Sequence, residues 1–184
     1  MISPEEFIRL WGRSELAPLR AAHLEGVDVP DSAKAFLAQA GLPIDVEGLA
    51  LCFLPDPRGL PTLAQLLGET EPRPPEAHRY RRLGRNDVGV HFCLDEGRRG
   101  AVVAVAPLDN CPVVFVNSGV VELAECLLTY RRLWREGWKG EGKDEDAAYA
   151  ARLRQAIVAV DAAAVETDPS WWSMVVLGAG HGLL

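Results

Sequence analysis

The 184-residue chain has no surplus of positive charge, either in total or in one half. It carries 19 lysines and arginines against 26 aspartates and glutamates, which gives a net charge of −7. Residues 1–92 hold ten basic and thirteen acidic side chains, and residues 93–184 hold nine and thirteen. Neither half therefore supplies the basic surface that binds nucleic acid or anionic membranes, and a basic protein partner suits this balance better.

Long apolar runs are also absent. No run reaches the ~20 residues that cross a bilayer, and the start, Met-Ile-Ser-Pro-Glu-Glu, lacks the basic and apolar regions of a signal peptide. We therefore expect a cytoplasmic protein. With 48% hydrophobic and 24% charged residues the composition is that of a globular chain, and the length predicts a single domain over residues 1–184.

Reactive motifs are equally scarce. The chain has no HExxH and no Gly-x-Ser-x-Gly, and the glycine-rich stretch 178–182 follows no clear strand and opens no helix, as a nucleotide loop would. The four cysteines form no CxxC pair and have no histidine at ligand spacing, which favours buried free thiols over a metal site or disulfides: Cys52, Cys93, Cys111 and Cys126. The sequence thus predicts no catalytic, cofactor-binding or metal-binding residue, and no cofactor.

One pair of reactive side chains needs a separate test. His91 and Cys93 alternate along a predicted strand, which places both on one face, where an imidazole could activate a thiol. The simpler interpretation is two half-buried strand residues. Replacing Cys93 with alanine separates these hypotheses, because it abolishes a thiol-dependent activity but leaves a binding function intact if Cys93 only packs.

Residues 80–117 predict an antiparallel meander. Four short apolar or β-branched segments follow one another at 80–84, 88–94, 101–105 and 113–117. Their connections are too short for the crossovers that parallel strands need.

A long helix follows the meander. From Val120 to Trp134 the apolar residues recur at helical spacing, and Asn117 or Ser118 is placed to cap the first amides. The remaining predictions are helices at 3–11, 14–24, 31–41 and 144–160, a strand at 49–54, a flexible glycine break at 137–142, a turn at 168–172 that starts a last short helical segment, and a fraying end at 177–184.

Residues 55–78 contain six of the 13 prolines, with one short helical turn at 62–67. We interpret this segment as a long surface excursion within the same domain, because the apolar strands on both sides need each other to form a core. It is either a partner-contacting loop or a plain variable connection.

Several short motifs occur in an order typical of a known family. They are Ala-Phe-Leu-Ala-Gln-Ala-Gly-Leu-Pro at 35–43, Leu83-Gly84, Val-Phe-Val-Asn-Ser at 114–118, and Asp161 followed by Trp172. Over roughly residues 30–175 the chain resembles the SUKH superfamily, and within it the fourth family of SUKH immunity proteins most closely.

The resemblance implies an α+β fold with a largely antiparallel sheet, helices packed against it and no catalytic residues. It also implies a bacterial immunity protein that neutralises a cognate polymorphic toxin, often a nuclease or nucleic-acid deaminase, by direct non-catalytic binding. A basic toxin domain would suit the charge, and the oligomeric state is open. The alternative is a general protein-interaction or regulatory module of the same fold without a toxin partner.

The partner-binding residues are not identified by any motif. We expect them among acidic and aromatic residues displayed from the sheet and in the segment 55–78, with a central aromatic patch supplying most of the binding energy.

Overall fold

The structure is a computed structural model that describes residues 1–68, 71–106, 110–137, 143–167 and 169–183. The predicted turn residue Asp168 and most of the predicted glycine break at 137–142 lie outside the described residues.

The centre of the fold is a five-stranded antiparallel sheet whose strands lie side by side in chain order. A separate two-stranded sheet pairs the first two strands of the chain. The predicted meander over residues 80–117 is confirmed. The strands are β1 Leu16–Ala17, β2 Leu42–Pro43, β3 Leu51–Cys52, β4 Tyr80–Asn86, β5 His91–Asp95, β6 Ala101–Val105 and β7 Val113–Asn117.

Helices pack on one face of this sheet, so the predicted α+β class is confirmed. Leu123 and Leu127 of the long helix lie fully buried in the same core as Phe92 and Val102 of the sheet. None of the described helices combines the length and apolar character that a membrane crossing needs. The helices are α1 Pro4–Trp11, α2 Asp31–Gln39, α3 Leu63–Leu66, α4 Val120–Gly137, α5 Lys143–Val160, α6 Ala163–Glu166 and α7 Trp171–Gly180.

Part of the proline-rich segment covers the opposite face of the sheet. Thr62 begins α3 with a capping box, in which its hydroxyl accepts from the Gln65 amide and the Gln65 side chain accepts from the Thr62 amide. Leu63 and Leu67 then pack against the sheet in a second, smaller core cluster, together with Ala77, Tyr80, Cys93, Val103 and Val105. Some of the segment that we expected at the surface therefore seals the sheet.

Two local predictions were wrong near the N-terminal side of the sheet. The helix expected at 14–24 is replaced by two 3₁₀ turns around β1, because Pro18 favours an extended conformation at Ala17, which pairs with β2. The strand expected at 49–54 is only two residues long. Ala50, at φ 48°, belongs to the turn that brings the Val46 amide to the Leu51 carbonyl.

The short helical segment predicted to start at residues 168–172 is α7, and it includes residues 177–180 of the end that we expected to fray. Ser170 and Ser173 form a capping box at the start of this helix. Near its end Ala179 is fully buried, and a Cβ added to Gly180 would lie 3.5 Å from the Cβ of Ala150 in α5. Small residues let α7 approach α5 closely, and that packing holds the helix in place.

Candidate interaction surface

His91 and Cys93 lie on the sheet face that the proline-rich segment covers. Cys93 has no exposed surface, and burial raises the pKa of its thiol far above the usual range. His91 is 9% exposed, and burial, followed by the charges of Arg82 and Arg85, lowers its pKa. A sealed thiol that stays protonated is a poor nucleophile, so this geometry does not support the enzyme hypothesis.

Metal-ligand geometry is missing from the part of the chain that the structure describes. No three His, Cys, Asp or Glu side chains there come close enough together to hold a metal ion. Cys93 and Cys126 are buried, Cys52 is half-buried, and none of these three is in a disulfide.

A buried polar network joins the end of β7 to the residues after α5 and to α7. One carboxylate oxygen of Asp161 accepts from Asn117 Nδ2 at 3.0 Å and from the Ser118 amide at 2.8 Å. The other accepts from the Ser118 hydroxyl at 2.9 Å. Trp172 Nε1 donates to Asn117 Oδ1 at 2.9 Å.

The network has the properties of a structural hydrogen-bond network. Asn117 and Trp172 have no exposed surface and Asp161 is 7% exposed, so each polar atom needs the partner that it has. Asn117 Nδ2 also lies 3.4 Å from the sulfur of Cys126 in α4, a thiol whose pKa burial raises to about 12. We expected Asn117 or Ser118 to cap α4, and the side chains of both bind Asp161.

A groove of about 570 Å³ lies between α1 and α4; we call it the α1–α4 groove. Ile2, Leu10 and Leu128 supply its apolar lining. Several of its charges are matched within the molecule. The N-terminal amino group lies 3.7 Å from Glu125, and Arg132 pairs with Glu136 along the helix at 4.0 Å.

A cleft of about 340 Å³ adjoins this groove, between α4 and residues 44–47; we call it the 44–47 cleft. Arg131 and Arg135 line both cavities, so the two lie side by side along α4. Asp45 and Glu47 line the cleft, are exposed and form no ion pair with any described residue.

Arg131 is buried at the junction of the two cavities. Its guanidinium lies over the ring of Trp11, 4.4 Å from the centroid, and donates to the Trp11 carbonyl at 2.7 Å. It also pairs with the Glu15 carboxylate at 2.6 Å. The indole face and the carboxylate together offset the cost of burying this cation.

The family model of the SUKH-4 immunity protein matches residues 2–178 of the chain. The chain belongs to the SUKH-4 immunity protein family. The predicted membership of the fourth SUKH family is thus confirmed. No curated protein and no solved structure is similar enough to match.

The resemblance that the sequence showed lies in residues that hold this SUKH-4 fold together. Asn117, Ser118, Asp161 and Trp172, quoted above as family motifs, are the members of the buried network. They identify the fold and the family, and they leave the binding surface undefined. SUKH-4 immunity proteins are generally non-enzymatic, in keeping with the sealed Cys93.

The sheet displays few of the acidic and aromatic residues among which we expect the binding surface. In β4 to β7 Arg85 and Val113 are exposed and Phe115 is half-buried, whereas Tyr80 and Asp95 are buried. The 44–47 cleft could not be predicted from a local pattern, because its walls come from segments far apart in the chain. One signal was available, since Arg131 lies four residues after the buried Leu127 and thus on the core side of α4.

Proposed function

We propose that this SUKH-4 protein neutralises a cognate polymorphic toxin by direct, stoichiometric binding without catalysis. The family match over residues 2–178 carries the proposal, because this is a family of immunity proteins. Two features of the molecule support the non-catalytic part. Cys93, which alternates with His91 along β5, is sealed under the proline-rich segment, and among the described residues the larger open cavities are lined by α1, α4 and residues 44–47.

We further propose that the toxin domain is basic, as suits an enzyme that acts on nucleic acid. The net charge of −7, spread over both halves of the chain, attracts such a domain and repels nucleic acid itself. Attraction of this kind mainly speeds association, and added salt weakens it.

Calorimetric titration tests the proposal directly. The purified chain is titrated, at low and at moderate salt, with the C-terminal domain of the protein encoded by the neighbouring upstream gene. We expect tight one-to-one binding that weakens with salt, and co-production of the chain should restore growth to cells that make the toxin domain. Binding without protection would favour an interaction or regulatory module, and absence of binding would contradict this pairing.

A further inference from the structure

We propose that the 44–47 cleft is the docking site for a lysine or arginine side chain of the toxin domain. The proposal rests on the proposed function and adds the surface and the chemistry of the contact. Its occupant is a basic side chain on a protruding segment of the partner.

The carboxylates at the 44–47 cleft favour a cation as the occupant. Asp45 and Glu47 are exposed carboxylates with no ion pair among the described residues, whereas Glu125 and Glu136 in the neighbouring α1–α4 groove are paired. Glu15 and Arg131 pair with each other, and the exposed Arg135 also lines the cleft, so Asp45 and Glu47 leave a net negative charge that attracts a cation. Both carboxylates can accept its hydrogen bonds.

The backbone that carries these carboxylates is held close to α4. Gly48, at φ +80°, follows Glu47 directly, and a Cβ there would overlap the Tyr130 hydroxyl and lie 3.0 Å from the Trp134 ring. Only glycine lets the segment approach α4 so closely. Trp134 is half-buried and stacks on Tyr130 with 5.8 Å between centroids, which limits how far its indole can move. Because this backbone segment is already held in place, a cation that binds beside it has only side chains to order.

The same cleft holds one guanidinium of the chain itself. Arg131 is bound there by the Trp11 ring and the Glu15 carboxylate, so the cleft already accommodates a guanidinium beside a carboxylate. Trp11, which is 3% exposed, also has an indole Nε1–H without a partner among the described residues. A basic peptide segment supplies the cation that Asp45 and Glu47 lack.

The test compares two double variants of equal net charge. Asp45→Asn with Glu47→Gln removes the cleft carboxylates, and Asp87→Asn with Glu166→Gln removes two exposed carboxylates elsewhere, so that both chains change from −7 to −5. Binding of the C-terminal domain from the neighbouring upstream gene is measured calorimetrically for both variants and for the original chain. We expect the cleft variant to bind at least ~10-fold more weakly and the control variant to stay within about threefold. Equal losses in the two variants would show that overall charge matters and the cleft does not, and would overturn the proposal.

A second probe keeps the cleft testable if the original chain does not bind that domain. A capped diarginine peptide is titrated into the isotopically labelled full chain, with a capped diglutamate peptide as control, and amide and indole shifts are followed by NMR. Shifts centred on residues 45–48 and the Trp134 indole, and lost in the cleft variant, support the cleft even when the toxin pairing has failed. Scattered shifts, or none, overturn the proposal whatever the toxin result.

Discussion

Replacing Asp161 with alanine should destabilise the protein strongly, although the residue lies at no open surface. The substitution removes the carboxylate that accepts from Asn117 Nδ2, the Ser118 amide and the Ser118 hydroxyl. Asn117 has no exposed surface, so its amide cannot turn to water.

The size of the effect follows from the donors that lose their partner. A stranded buried donor costs about 1–3 kcal/mol, so the Asn117 amide costs that much and the part-buried Ser118 amide costs at most the same, about 1–6 kcal/mol together. Ser118 has an exposed side chain, so its hydroxyl can turn to water and adds little. Asp161→Asn keeps the shape and one acceptor but loses the charge, and we expect a smaller loss of about 1–2 kcal/mol. The loss expected for Asp161→Ala is a substantial part of the 5–15 kcal/mol unfolding free energy that is typical of a domain.

Urea unfolding followed by tryptophan fluorescence measures these differences, with the slope m checked for constancy. Asp87→Ala serves as the control, because it removes an exposed carboxylate from the turn after β4 and should change the unfolding free energy by less than about 0.5 kcal/mol. An Asp161→Ala variant as stable as this control would refute the structural role of the network.

The remaining predictions concern two glycines and a histidine. Gly41→Ala should lower the unfolding free energy by at least ~3 kcal/mol, because a Cβ at φ +72° would overlap the Ala17 carbonyl. Gly89→Ala, at φ +86° with no atom within 4 Å, should lower it by only about 1 kcal/mol. Equal shifts in melting temperature for the two variants would contradict this. The folded-state pKa of His91 is below its ordinary value of 6.5, so the unfolded chain takes up the proton first, and the stability present above that pH falls as the pH drops below it. His91→Gln should remove that part of the slope in urea midpoints measured across pH, and an unchanged slope would show that the buried imidazole of His91 does not cause the dependence.

The meander and α4 could be predicted because their signals are local. β-Branched runs bounded by turns define β6 and β7, and the switch to helical spacing at Val120 marks the start of α4. Ser3, which accepts from the Glu6 amide, was recognisable as a cap for the same reason. Each of these signals spans fewer than about a dozen residues, within the range that a pattern can show.

The features that were missed depend on contacts between distant segments. The glycines near the end of α7 weaken a helix by propensity, and only the close packing on Ala150 of α5 explains why it forms there. The burial of Asp161 depends on donors 43 and 44 residues away, and Arg131 meets Trp11 across 120 residues. The proline-rich segment carries Leu63 and Leu67 onto the sheet, although its composition is typical of an exposed loop.

The distance along the chain between Asn117 and Trp172 also sets an order of events during synthesis. The strands of the main sheet pair with their sequence neighbours, so the meander can form as soon as it leaves the ribosome. Trp172, which donates to Asn117, follows 55 residues later, a gap that translation at roughly 5–20 residues per second takes about 3–11 s to fill. For that interval a nascent chain holds a sheet in which Asn117, at the end of the edge strand β7, still lacks its partner Trp172.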